Sequence, residues 1–131
     1  MNRHQFIRTL ALSAALTAAW GPAVAQTPRR TVRLVVPFPA GGATDRFARA
    51  LQTRLSEALG ANVVVDNKPG AGGSLGADIG AKAPADGLTL LLATSSTHAI
   101  GPALSVRLPY NTVTDFTPIV HVGNAPSLML V

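Results

Sequence analysis

The chain has 131 residues, with 11 Lys and Arg against 6 Asp and Glu and no cysteine. That length holds one small domain with its own core, and the missing cysteine excludes disulfide and thiol chemistry. The basic excess is scattered and aromatic residues make up 5% of the chain, which argues against nucleic acid as a partner.

Residues 1–25 read as a targeting signal. Arg3 and Arg8 give a positive start, Thr9 to Trp20 is uncharged and largely apolar, and Ala23-Val24-Ala25 has the small-x-small pattern of a cleavage site. The run is too short to span a bilayer, which takes about 20 apolar residues. Cleavage after Ala25 is expected, without a lipid anchor because no cysteine follows the run. The mature chain is therefore expected to be exported and not membrane-anchored.

Beyond the signal, strands and helices alternate. Thr31–Phe38 reads as a buried β-branched strand, ending in Pro37-Phe38-Pro39-Ala40-Gly41-Gly42. Thr44 is the expected N-cap of the following helix, with Asp45 in its favourable first turn. Phe47, Leu51, Leu55 and Leu59 recur at helical spacing, and Gly60 stops the helix. Asn62–Val65 is a second strand and Asp66-Asn67-Lys68-Pro69-Gly70 is turn chemistry. Ser74 to Ala83 predicts a short helix packed through Leu75 and Ile79, with Ser74 as N-cap. Leu88–Ala93 is a third strand, His98–Leu104 a helical turn and Phe116–Val122 a fourth strand. The β-α-β-α-β order predicts a parallel sheet with helices on its faces.

In such sheets ligands sit beyond the carboxyl ends of the strands. Three loops fall there: Pro37–Ala43, Asp66–Gly73 and Thr94–Thr97. The first two are glycine-rich and open helices; the third is all hydroxyls. Backbone N–H groups at a helix start carry partial positive charge and suit a carboxylate.

Other chemistries fit less well. Gly72-Gly73-Ser74-Leu75-Gly76 matches the G-x-S-x-G pattern of a hydrolase nucleophile, with Asp86 or Asp115 and His121 as triad partners. This makes a small exported serine hydrolase using Ser74 the alternative function. A nucleophile elbow needs a strand running straight into the serine, and Pro69-Gly70-Ala71 intervene. Gly70-x-Gly72 fails the dinucleotide fingerprint at its third glycine, so no cofactor is expected. His98 and His121 lack companions at metal-ligand spacing, so no metal is expected. His121 reads as a core or edge residue of the fourth strand, and His98 as a candidate for the pocket lining.

The residues also carry a resemblance. Val35-Val36-Pro37-Phe38-Pro39-Ala40-Gly41-Gly42-Ala43-Thr44-Asp45 resembles the opening motif of the Bug family, the periplasmic solute receptors of tripartite tricarboxylate transport systems. Val63-Val64-Val65-Asp66-Asn67-Lys68-Pro69-Gly70-Ala71-Gly72-Gly73-Ser74-Leu75-Gly76-Ala77 is similar to the second signature, and Pro84 to Leu91 and Leu108 to Ile119 resemble two more. Ala40 and Leu88 depart from the usual residues without touching the glycines.

The resemblance implies an α/β fold, one parallel-sheet lobe of a periplasmic-binding-protein (Venus-flytrap) architecture, with the second lobe missing. Residues 26–123 would form the first lobe and 124–131 the start of a crossover. It implies a non-catalytic receptor that captures a small carboxylated solute in the periplasm and delivers it to the membrane subunits of a tripartite tricarboxylate transporter. The site residues it implies are Phe38, Ala40, Gly41, Gly42, Thr44 and Asp45 in the first loop. Gly70, Ala71, Gly72 and Gly73 follow in the second, and Thr94, Ser95, Ser96 and Thr97 in the third. Asp45 would repel a carboxylate, so its expected part is to stabilise the helix start or to reach a polar end of the ligand through water. Family receptors have two lobes, so the chain is expected to be a truncated form.

Overall fold

The computed structural model describes residues 30–104 and 107–124. The predicted signal peptide and residues 125–131 of the crossover lie outside the described residues.

The centre of the fold is β1 (Thr31–Val36), paired in parallel with β2 (Asn62–Asn67) on one side and β3 (Thr89–Leu91) on the other. Thr31 faces Asn62 and Val36 faces Asn67 across one ladder, and Val35 faces Leu91 across the other. A central strand has both faces covered, which is why its sequence is a continuous apolar run.

Side chains alternate between the faces. Val32, Leu34 and Val36 form one core layer with Val63, Ala61 and Ala48, with Leu55, Val65, Leu88 and Leu90 packed against it. That layer is covered by α1 (Ala43–Leu59), which ends at Gly60 in the left-handed conformation, φ 58°. The opposite face carries α2 (Ser74–Ala81), which buries Gly76 and Ala77. A Cβ at Gly80 would touch the Leu91 side chain at 3.4 Å, and one at Gly76 would lie 2.7 Å from both Pro37 Cα and the Lys68 carbonyl oxygen. The two glycines let α2 lie against the strands. The chain continues into a wide helical turn, Ser96–Ile100, and α3 (Gly101–Leu104).

Several elements differ from the expectation. The second strand runs two residues further, because Asp66 and Asn67 find register partners in Val35 and Val36; available pairing overrides their turn propensity. The third strand is shorter. Residues 116–122 form no strand, and Ile119 and Val120 are 77% and 72% exposed. Pro118 removes a ladder donor, and no described strand pairs with the outer edge of β3. His121 is accordingly exposed rather than part of a core. Neither predicted cap is used: Gly42 and Gly73 occupy the N-cap positions, without side-chain capping bonds, and Thr44 and Ser74 lie inside the helices. The buried face of α1 is centred on Asp45 and Ala48, one step from the predicted stripe, and Phe47 and Leu59 are exposed. Leu75 is 48% exposed and covers Gly70 rather than the sheet.

Candidate functional site: three loops at one edge of the sheet

The first loop leaves β1 through the buried Pro37. Gly41 adopts φ +81°, which favours glycine. Its N–H donates to Asp45 Oδ2 at 2.8 Å, and its carbonyl accepts from Arg46 Nη1 at 2.9 Å. Asp45 is 2% exposed. The same Oδ2 accepts from Arg49 Nε at 2.9 Å, and Oδ1 accepts from Asn67 Nδ2 at 3.0 Å. The Arg49 guanidinium and then the Gly41 N–H hold the Asp45 carboxyl down to about 2, from an ordinary 3.8. Buried charge is tolerated only when paired and hydrogen-bonded, and these three donors meet that condition. Asp45 therefore faces inward and clasps its own loop.

The second loop contains four successive residues at positive φ: Gly70 at 144°, Ala71 at 48°, Gly72 at 66° and Gly73 at 98°. Ala71 carries a side chain in a region that costs an L-residue about 1–2 kcal/mol. The Gly73 N–H closes this turn on the Gly70 carbonyl at 2.9 Å. Such strain persists only where the surroundings over-determine it, and it clusters at ligand-binding segments.

The third loop is folded around Thr97, which is fully buried. Thr97 Oγ1 donates to the Thr94 carbonyl at 3.0 Å and accepts from the Thr94 N–H at 3.1 Å. It also lies 2.9 Å from His98 Nδ1. The Tyr110 hydroxyl donates to the Thr97 carbonyl at 2.8 Å. Tyr110, Phe116 and His98 form an aromatic cluster in which Phe116 stands edge-on to both others, with His98 and Phe116 centroids 4.7 Å apart. Burial there pushes the His98 pKa below its ordinary 6.5.

The three loops meet at Gly73. A Cβ on it would lie 2.6 Å from Thr97 Cγ2, 3.3 Å from Phe38 Cζ and 3.5 Å from Pro37 Cβ. Phe38, Gly73 and Thr97, from three separate loops, are thus brought together. Ala40, Gly41, Gly70, Ala71, Gly72, Ser95 and Ser96 are exposed around them; Gly42, Thr44 and Thr94 are half-buried. Asp45 and Thr97 are the buried polar side chains of the set, and their oxygens are engaged within the loops. Sequence reasoning passed over Asn67, Arg49 and Tyr110, which hold these loops in place. Asn67 stands at a strand end before Lys-Pro-Gly, a position whose amide was readable only as a turn former.

The hydrolase partners of Ser74 are occupied elsewhere. Asp86 Oδ1 accepts the Leu88 N–H at 2.9 Å, and Asp115 accepts the Asn111 N–H at 2.7 Å and the Thr114 hydroxyl at 2.9 Å. A concavity of about 490 Å3 is lined by Pro102, Tyr110 and Asp115, beside α3 and away from the glycine loops. Among the described residues, no helix is long and apolar enough to cross a membrane.

Known proteins share the sequence and the fold of this chain. Residues 47–131 match the tripartite tricarboxylate transporter family receptor. The chain is 40% identical over 132 residues to protein BugT of Bordetella pertussis, covering 99% of this chain and 40% of that protein. It is similar to the solved structure of the periplasmic binding protein BugD, with 43% identity and a TM-score of 0.67 over 70% of this chain and 30% of that one. The structures of R. palustris Rpa4515 with adipate and of MatC (Rpa3494) from Rhodopseudomonas palustris with bound malate are similar too. Identities are 44% and 43% and TM-scores 0.67 and 0.65, over 72% and 68% of this chain and 31% and 30% of theirs. The chain spans about 40% of the length of BugT. With an α/β lobe shared with periplasmic binding proteins and a family match over most of its length, the chain belongs to the Bug receptor family of tripartite tricarboxylate transport systems.

Proposed function

We propose that this chain supplies the first lobe of an exported receptor that captures a small carboxylate for tripartite tricarboxylate-type uptake. The observation that carries the reading is the convergence of the Phe38–Asp45, Gly70–Gly73 and Thr94–Thr97 loops at one edge of a parallel sheet. The N-terminus of α1 opens there without a side-chain cap. Its first-turn N–H groups offer hydrogen bonds and partial positive charge to an anion. Asp45, neutralised by Arg49, adds little repulsion.

Adipate and malate, held by two similar proteins, make dicarboxylates the first solutes to try. Residues 26–123 form the first lobe in this reading, and 124–131 begin a crossover to a second. The exposed Leu104, Val113, Ile119 and Val120 suit a surface that is covered in the complete receptor. Cleavage after Ala25 delivers the chain to the periplasm, where transporter membrane subunits receive the solute.

A receptor buries most of its ligand in a concave site, whereas Ala40, Gly41, Gly70, Ala71 and Gly72 stand exposed on this one lobe. Micromolar binding is about −8 kcal/mol, and half of the contacts leaves about −4 kcal/mol, or millimolar. Calorimetry with malate and adipate tests this: weak binding by the 131-residue chain, tight binding by a version carrying a second lobe, and loss of both in Gly42→Val. Submicromolar binding by the 131-residue chain, or an unaffected Gly42→Val, refutes the mechanism. Mass spectrometry of periplasmic material should find Gln26 as the first residue.

A further inference from the structure

Asn67 ends β2 opposite Val36 and is not among the candidate site residues. Both hydrogens of its amide nitrogen are used: Nδ2 lies 3.1 Å from the Phe38 carbonyl oxygen and 3.0 Å from Asp45 Oδ1. Its Oδ1 accepts from Arg49 Nη2 at 3.3 Å. Two donors on one atom with an acceptor alongside is the signature of a primary amide. An aspartate here would offer no donor and would face Asp45 with a like charge. A serine would offer one.

These contacts grip the first loop at both ends. Asn67 holds the Phe38 carbonyl directly. Through Asp45, whose other oxygen accepts the Gly41 N–H at 2.8 Å, it also fixes the turn that precedes α1. With Gly41 turned inward, the donors left facing the strand ends are those opening α1, where no side chain competes for them. Arg49 closes the network by bonding both Asp45 and Asn67.

We propose that Asn67 is a positioning residue for solute capture, setting through Phe38 and Asp45 which backbone N–H groups of the first loop face the carboxylate. The proposal rests on the receptor reading above, but its first readout needs no solute.

The test uses the 15N-labelled full chain and its Asn67→Ala and Asn67→Ser variants. Amide hydrogen exchange of Gly41 should speed up by roughly tenfold in Asn67→Ala, the scale of one charge-assisted hydrogen bond, and by less in Asn67→Ser. The Leu34 and Val35 amides of β1 should keep their protection. Titration with malate or adipate, followed at the Ala43 and Thr44 amides, should show affinity weakened by a similar factor. Unchanged Gly41 exchange overturns the proposal. So does a loss of strand protection in step with Gly41, because Asn67 would then act only on global stability. A native chain that shifts with neither acid counts against the receptor reading, while Gly41 exchange still decides the loop's anchoring.

Discussion

Gly73 and Thr97 approach so closely that a single added methyl would bring a Cβ to 2.6 Å from Thr97 Cγ2. The contact joins the glycine loop after β2 to the hydroxyl loop after β3. Gly73→Ala should therefore destabilise by about 1–3 kcal/mol, the usual cost of forcing extra atoms into packed space, added to the strain of its φ of +98°. The neighbouring Gly72→Ala, at φ +66° with open space around it, should cost only the conformational part, about 1 kcal/mol. Urea unfolding of the two variants checks the order; equal losses would mean that the contact does not matter.

Gly76→Ala should destabilise although alanine is the better helix former by about 1 kcal/mol. The new Cβ meets backbone at 2.7 Å, at Pro37 Cα and the Lys68 carbonyl oxygen. Neither can rotate away, so α2 must lift from the sheet. The expected net loss is about 2 kcal/mol, read as a lower urea midpoint. A more stable variant would show that α2 is not held against the strands.

Acid should lower the stability of the fold in two steps. Burial lowers the His98 pKa, so the neutral ring is favoured in the fold, and its contribution is complete above about 6.5. It is lost as pH falls through the folded value. Asp45, held at about 2 in the fold against 3.8 outside it, contributes fully above 3.8 and loses its contribution as pH falls toward 2. Asp115 shifts in the same direction, through the Asn111 N–H and the Thr114 hydroxyl. Thermal melts from pH 8 to 2 should begin to decline as pH falls below about 6.5 and decline again below about pH 4. Asp45→Asn should flatten the second decline, and His98→Gln the first.

Tyr110→Phe removes the donor to the Thr97 carbonyl and leaves the ring packed against His98 and Phe116. A net loss of about 1 kcal/mol is expected, with faster amide exchange at Thr97 and His98, whose N–H groups bond the Thr94 carbonyl. Unchanged exchange there would show that the third loop holds its shape without Tyr110.

Local chemistry determined much of this protein. The apolar run before Pro37, the glycines before α1 and α2, the stop at Gly60 and the alternation of element types are short-range patterns. They specify strands, turns and helices wherever they occur, and together they specify a parallel sheet with three loops at one edge. The ordered motifs were also enough to indicate the receptor family. Only the tertiary structure decided how the edge is held. Whether Asp45 meets solvent or a buried set of donors depends on Asn67 and Arg49, and Asn67 arrives from another strand. Whether Asp66 and Asn67 turn or pair depends on β1 lying beside them. Residues 116–122 have the composition of a strand but pair with no strand among the described residues, and a strand cannot satisfy its backbone alone. Burial and pairing are properties of two segments at once, and no pattern within one segment contains them.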